Sequence, residues 1–126
     1  MFITGMVPYD DLPPLTASAG LGVMILEPLN RSKELSSANK VFEYMACGVP
    51  CIVSDAGGNT ELIEDGVNGI VYPLGDAASL ASSIVRLLDD PGLRKLFSER
   101  SGSLASTSFS TGKMITEYDR FFKSLI

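Results

Sequence analysis

Residues 40–74 read KVFEYMACGVPCIVSDAGGNTELIEDGVNGIVYPL, and their periodicity decides the fold. The first part, continuous with Ala38 and Asn39, has the composition of a helix that ends near Cys47, where Gly48 and Pro50 supply a stop. CIVS (51–54) and IVY (70–72) are apolar runs too short for helices, and NTELIEDG between them has the length of a short helix with its turn. Helix, strand, helix and strand at this spacing make βαβ units. Strands that are apolar throughout, without alternation, belong to a parallel sheet covered on both faces.

The pattern extends upstream. FITGMV predicts a strand over 2–7, DDLPPLTASAG a short helix, and GLGVMILE a strand over 20–27. Downstream of Asp76 the period becomes purely helical. Leu80, Ile84, Leu87 and Leu88 share a stripe behind Asp76 as N-cap. Pro91 opens a second helix after Asp90, with Leu93, Leu96 and Phe97 on one face. A terminal helix carries Met114, Tyr118, Phe121, Phe122 and Leu125 on one side. That aromatic stripe is expected to pack on its own domain, with docking against another domain as the alternative.

Composition excludes several classes of function. At 126 residues with 45% hydrophobic residues, the chain can form one domain with a real core. A net charge of −5 with scattered basic residues argues against a nucleic-acid partner. There is no histidine, and the two cysteines, Cys47 and Cys51, have no second pair, so neither a metal site nor a disulfide framework has its parts. Free thiols in a reducing compartment are expected. No apolar run approaches the ~18 residues of a membrane span. The chain reads as cytoplasmic, with peripheral attachment at the inner face of a membrane left open.

The chemistry concentrates ahead of residue 47. Arg31, Lys33 and Lys40 are the first basic residues of the chain, and the next is Arg86. Ser36, Ser37 and Asn39 are all suited to cap a helix running from about Ala38 to Cys47. The amides and dipole at such a helix start attract an anion, and the carboxyl edge of a doubly wound sheet is where ligands bind. A phosphate held by the amides of Ser36, Ser37, Ala38 and Asn39 with the Lys40 ammonium is the expected guest. Glu43 lies one turn further on, and a carboxylate there can accept from both hydroxyls of a ribose. The plainer reading is a surface ion pair between Lys40 and Glu43. Phe42, Met45 and Ala46 are expected to face the sheet. In SDAGGNTE, Gly57 and Gly58 allow close backbone approach, and Asn59 or Thr60 can cap the helix that follows; a ligand loop and a tight turn fit equally.

The run E-x-M-A-x-G-x-P (43–50), S-D-x-G-G-x-x-E (54–61) and D-G-x-N-G (65–69) resembles the carboxyl-terminal part of glycosyltransferase family 4. The resemblance covers nearly the whole chain. It implies an α/β fold: a partial Rossmann-like sheet, the carboxyl-terminal domain of the GT-B architecture, with parallel strands, helices on both faces and amphipathic helices at the end. It implies one incomplete donor-nucleotide-binding domain over 1–126, with the strand-and-helix part and donor site in 1–75 and a helical part in 76–126.

By the same resemblance Glu43 is the second glutamate of the family's E-x7-E motif and binds the donor ribose, while the amides near residues 37–40 hold the diphosphate. The first glutamate is absent from its place, where Leu35 stands; the adjacent Glu34 is the candidate substitute for contact with the donor sugar. The implied activity is retaining and metal-independent glycosyl transfer from a nucleotide diphosphate sugar, with no cofactor and no catalytic residue in this chain. The acceptor domain and the first two strands of the donor domain are missing, so the strands over 2–7 and 20–27 are not expected to be neighbours. The chain reads as a carboxyl-terminal fragment that needs its amino-terminal domain or a partner chain. The alternative is a non-catalytic nucleotide-sugar-binding subunit or an inactive truncated relic.

Overall fold

The structure, a computed structural model of the chain, describes residues 5–25 and 39–125. A 3-10 turn at Tyr9–Asp11 leads into α1 (Leu12–Ala17), followed by β1 (Gly22–Met24), α2 (Asn39–Ala46), β2 (Cys51–Ser54), α3 (Asn59–Leu62), β3 (Gly69–Tyr72), α4 (Ala77–Asp89), α5 (Pro91–Ser108) and α6 (Thr111–Ser124). The three strands are parallel in the order β1-β2-β3, with Gly22 beside Cys51 and Cys51 beside Gly69. The α/β expectation is met, and the described architecture is that of a partial Rossmann-like sheet.

Alternation along the strands divides the core in two. On one face Cys51 and Val53 meet Val41 and Met45 of α2 together with Leu62 and Ile63. On the other, Ile52, Ile70 and Tyr72 meet Leu87 of α4 and Phe97 of α5. Val41, Met45, Ile52, Val53, Leu87 and Phe97 are fully buried, each worth about 1.5–3 kcal/mol on transfer from water. These few side chains hold the sheet between its helices.

Helix α2 ends as its sequence requires. Gly48 takes φ +67, the Val49 N–H donates to the Tyr44 carbonyl at 2.8 Å, and the Gly48 N–H donates to the Met45 carbonyl at 3.1 Å. This is a Schellman stop, and it turns the chain directly into β2. Asp76 accepts from the Ser79 N–H at 2.9 Å, and Asp90 accepts from the Leu93 N–H at 2.8 Å, so both expected N-caps form.

Several expectations are corrected. The predicted strand over 2–7 is not a strand in its described part, where Gly5 takes φ +71 and residues 5–8 have no regular secondary structure; residues 2–4 lie outside the described residues. A strand needs a neighbour to accept its backbone groups, and β1 has described partners on one side only. On α2 the fully buried residues are Val41 and Met45; Phe42 packs half-buried against the same cluster, and Ala46 is exposed. The helix is rotated so that its two β2-facing residues are one full turn apart. Leu88 and Leu96 are exposed, while the rest of each stripe faces inward: Leu80 and Ile84 of α4 and Leu93 of α5 pack beside the fully buried Leu87 and Phe97. The stripe on α6 is not covered by its own domain. Every described residue of α6 is exposed, Met114, Tyr118, Phe121 and Phe122 included.

Candidate functional site

Because α2 connects two parallel strands, it runs antiparallel to them, and its first turn lies at the carboxyl edge of the sheet. The turn after β2 reaches the same edge. Asn39 stands inside α2, not before it as a cap, and Lys40 follows it; both are exposed. Ser36, Ser37, Ala38 and Glu34, with Arg31 and Lys33, lie outside the described residues.

Glu43 is exposed and lies on the side of α2 opposite Val41 and Met45, as a step of about 100° per residue demands. It does not stand in open solvent. Together with Ala46 and Cys47 it forms one wall of a groove of about 310 Å³, whose other wall is Tyr9, Leu12, Pro13 and Thr16 from the segment around α1. Among the described residues that line it most are apolar, and Glu43 is the only charged one. The Cys47 thiol points across it toward the Pro13 carbonyl, 3.7 Å away. No ion pair joins Lys40 to Glu43 among the described residues, so the surface-pair reading is not what the structure holds.

The wall supplied by Tyr9, Leu12, Pro13 and Thr16 is invisible to sequence periodicity. Two prolines at the start of a six-residue helix leave too few turns for a stripe to register. The only signal is position: the segment lies just upstream of β1, whose neighbour β2 follows α2.

The turn after β2 is built around Asn59. Its side-chain amide donates to the Ser54 carbonyl at 3.1 Å, and the residue is fully buried within α3, so it does not cap that helix; Gly58 occupies the cap position. Gly57 takes φ +59, which meets the expectation of a left-handed turn there. Thr60 is exposed, and it too lies inside α3.

D-G-x-N-G serves the opposite edge. Buried Asn68 accepts from the Glu64 N–H at 2.7 Å and donates to the Leu62 carbonyl at 2.9 Å, while Asp65 accepts from the Val71 N–H at 2.9 Å. Ser101 of α5 donates to the Asn68 carbonyl at 2.8 Å. A Cβ on Gly69 would lie 2.8 Å from the Cys51 carbonyl oxygen. The motif is a brace at the amino end of β3, remote from the carboxyl edge.

Among the described residues no three of Asp, Glu or Cys come together as a metal-ligating group, and no helix is long and apolar enough to cross a membrane. Burial, first, and the neighbouring Cys51 and Glu43 charges push the Tyr44 phenol above its ordinary range.

Comparison with known proteins is consistent with this arrangement. The chain is 28% identical over 117 residues to the N-acetyl-alpha-D-glucosaminyl L-malate synthase of Bacillus anthracis, covering 93% of this chain and 29% of that protein. It is 33% identical over 108 residues to the alpha-D-kanosaminyltransferase of Streptomyces kanamyceticus, covering 86% of this chain and 26% of that one. The crystal structure of Anabaena Alr3699/HepE in complex with UDP-glucose superposes with a TM-score of 0.77 at 25% identity, over 90% of this chain and 30% of that chain. The chain therefore spans less than a third of the length of the relatives it matches. Residues 1–90 match the family described as glycosyl transferases group 1.

Proposed function

The chain belongs to the glycosyl transferases group 1 family, and on that premise we propose that it is the donor-binding part of a retaining glycosyltransferase. The donor is a nucleotide diphosphate sugar, and the whole protein transfers its sugar to an acceptor. The observation that carries the reading is the place of Glu43, one turn inside α2 on its exposed face, the one carboxylate among the described residues that line an otherwise largely apolar groove. An apolar trough suits a nucleobase, and a carboxylate at its wall suits the ribose diol.

In this reading the amides of Ser36, Ser37, Ala38 and Asn39 with the Lys40 ammonium hold the diphosphate, and Glu34 stands in for the displaced first glutamate against the donor sugar. Lys40 and the helix start stabilise negative charge on the departing diphosphate. Transfer needs no metal or cofactor and no general base from this chain. The UDP-glucose bound to the HepE structure supports this class of donor.

The acceptor side comes from an amino-terminal part or a partner chain. Support for it is the 26% to 30% share of the relatives that this chain spans. The whole protein works in the cytoplasm, peripherally at the inner face of the membrane. A second reading, a non-catalytic nucleotide-sugar-binding subunit or an inactive relic, is favoured by Leu35 standing where the first glutamate belongs.

The test is calorimetric titration of the chain with UDP and UDP-glucose, with and without EDTA, beside an assay of sugar transfer. Binding insensitive to EDTA is expected, with roughly ten- to a hundredfold loss in Glu43→Ala, the cost of hydrogen bonds to a charged group. Unchanged affinity in that variant returns Glu43 to an ordinary surface residue. Turnover by the lone chain would contradict the need for a partner.

A further inference from the structure

The seat of α2 on β1 is unusually close at one point. Gly22 faces α2, and a Cβ built on it would lie 2.6 Å from Cδ2 and 2.8 Å from Cε2 and Cγ of the Tyr44 ring. Carbon atoms in contact sit about 3.5–4.0 Å apart, so any side chain at 22 would force the ring or the helix back by roughly 1 Å. The backbone that carries the ring is held in place. Tyr44 is half-buried against the core, and its carbonyl takes the Val49 N–H in the helix stop.

The residue before it in the chain is Glu43. The height and rotation of α2 over β1 thus fix where that carboxylate stands across the groove from Leu12 and Pro13, whose helix is joined to β1 by residues 18–21. One face of a single tyrosine touches β1 while the adjacent carboxylate meets the groove. We propose that Gly22 and Tyr44 are a positioning pair that sets Glu43 at the distance a bound ribose requires. This rests on the donor-binding reading above.

A double-mutant cycle tests it, with UDP titrated calorimetrically into the wild-type chain, Gly22→Ala, Glu43→Ala and the double variant. Gly22→Ala is expected to weaken UDP binding roughly tenfold, about one charge-assisted hydrogen bond. In the Glu43→Ala background the same change is expected to cost less than about twofold, the limit within which independent sites add. A residue that only supports the fold gives additive losses, and that result overturns the proposal, as does wild-type affinity in Gly22→Ala. If circular dichroism shows Gly22→Ala unfolded, Tyr44→Leu, which removes the ring from a bare glycine, replaces it in the cycle with the same expected outcomes. Absence of UDP binding by the folded wild-type chain overturns the donor reading itself, whereas additivity overturns only the positioning role.

Discussion

Cys47 and Cys51 stand four positions apart and meet opposite environments. Cys51 begins β2, is fully buried, and has its thiol pushed up to about 12 by burial. It is protonated at any physiological pH and shielded from reagents. Cys47 is half-buried in the groove beside Glu43. Iodoacetamide at mild alkaline pH is therefore expected to alkylate Cys47 first and Cys51 only after denaturant is added, read by peptide mass; labelling of both at one rate would contradict the assigned burial. At this scale the sequence was a poor guide to orientation. Glu43 and Lys40 could be singled out from residue type and spacing, whereas the rotation of α2 could not, because Phe42, Met45 and Ala46 fit a sheet-facing stripe as well as Val41 and Met45 do. The rotation is decided by the packing against Cys51 and Val53.

The elements follow their local signals wherever the signal is a cap or a stop. Hydrogen bonds from the Ser79 hydroxyl, first, and from the Ser79 backbone hold the Asp76 carboxyl below its ordinary range. A carboxyl lowered in the folded state contributes its full stability above the unfolded value, about 3.9 for aspartate, and loses it as pH falls through the folded value. Asp76→Asn keeps an acceptor at the cap but does not titrate. It is expected to flatten the acid limb of the urea-midpoint profile while shifting the neutral plateau little; an acid limb identical to wild type would show that the cap plays no part in acid sensitivity. Asn59 shows where such signals mislead. A good cap residue by type, it lies inside α3 and is buried, with its amide donating to the Ser54 carbonyl. The proline-bearing α1 shows the complementary failure, a groove wall with no periodic pattern.

On the scale of the whole molecule the two edges of the sheet differ. The outer edge of β3 is closed, since Asp65 takes the outward Val71 N–H and bridges to Gly69. The outer edge of β1 carries no strand among the described residues, and Ile25 just beyond it is 53% exposed. Helix α6 adds an exposed aromatic stripe. Removing residues 111–126 is expected to leave the thermal midpoint of the body within roughly 4 °C, as changes to exposed positions do. A much larger drop would mean that the stripe packs on this chain after all. What the sequence determined alone is what local physics can encode: the order of strands and helices from α1 onward, the caps at Asp76 and Asp90, and the stop at Gly48. Only the tertiary structure decided that Glu43 faces the segment around α1, that D-G-x-N-G braces β3 away from the carboxyl edge, and that α6 stays bare. Each of these depends on contacts between segments far apart in the chain, which neither periodicity nor propensity records.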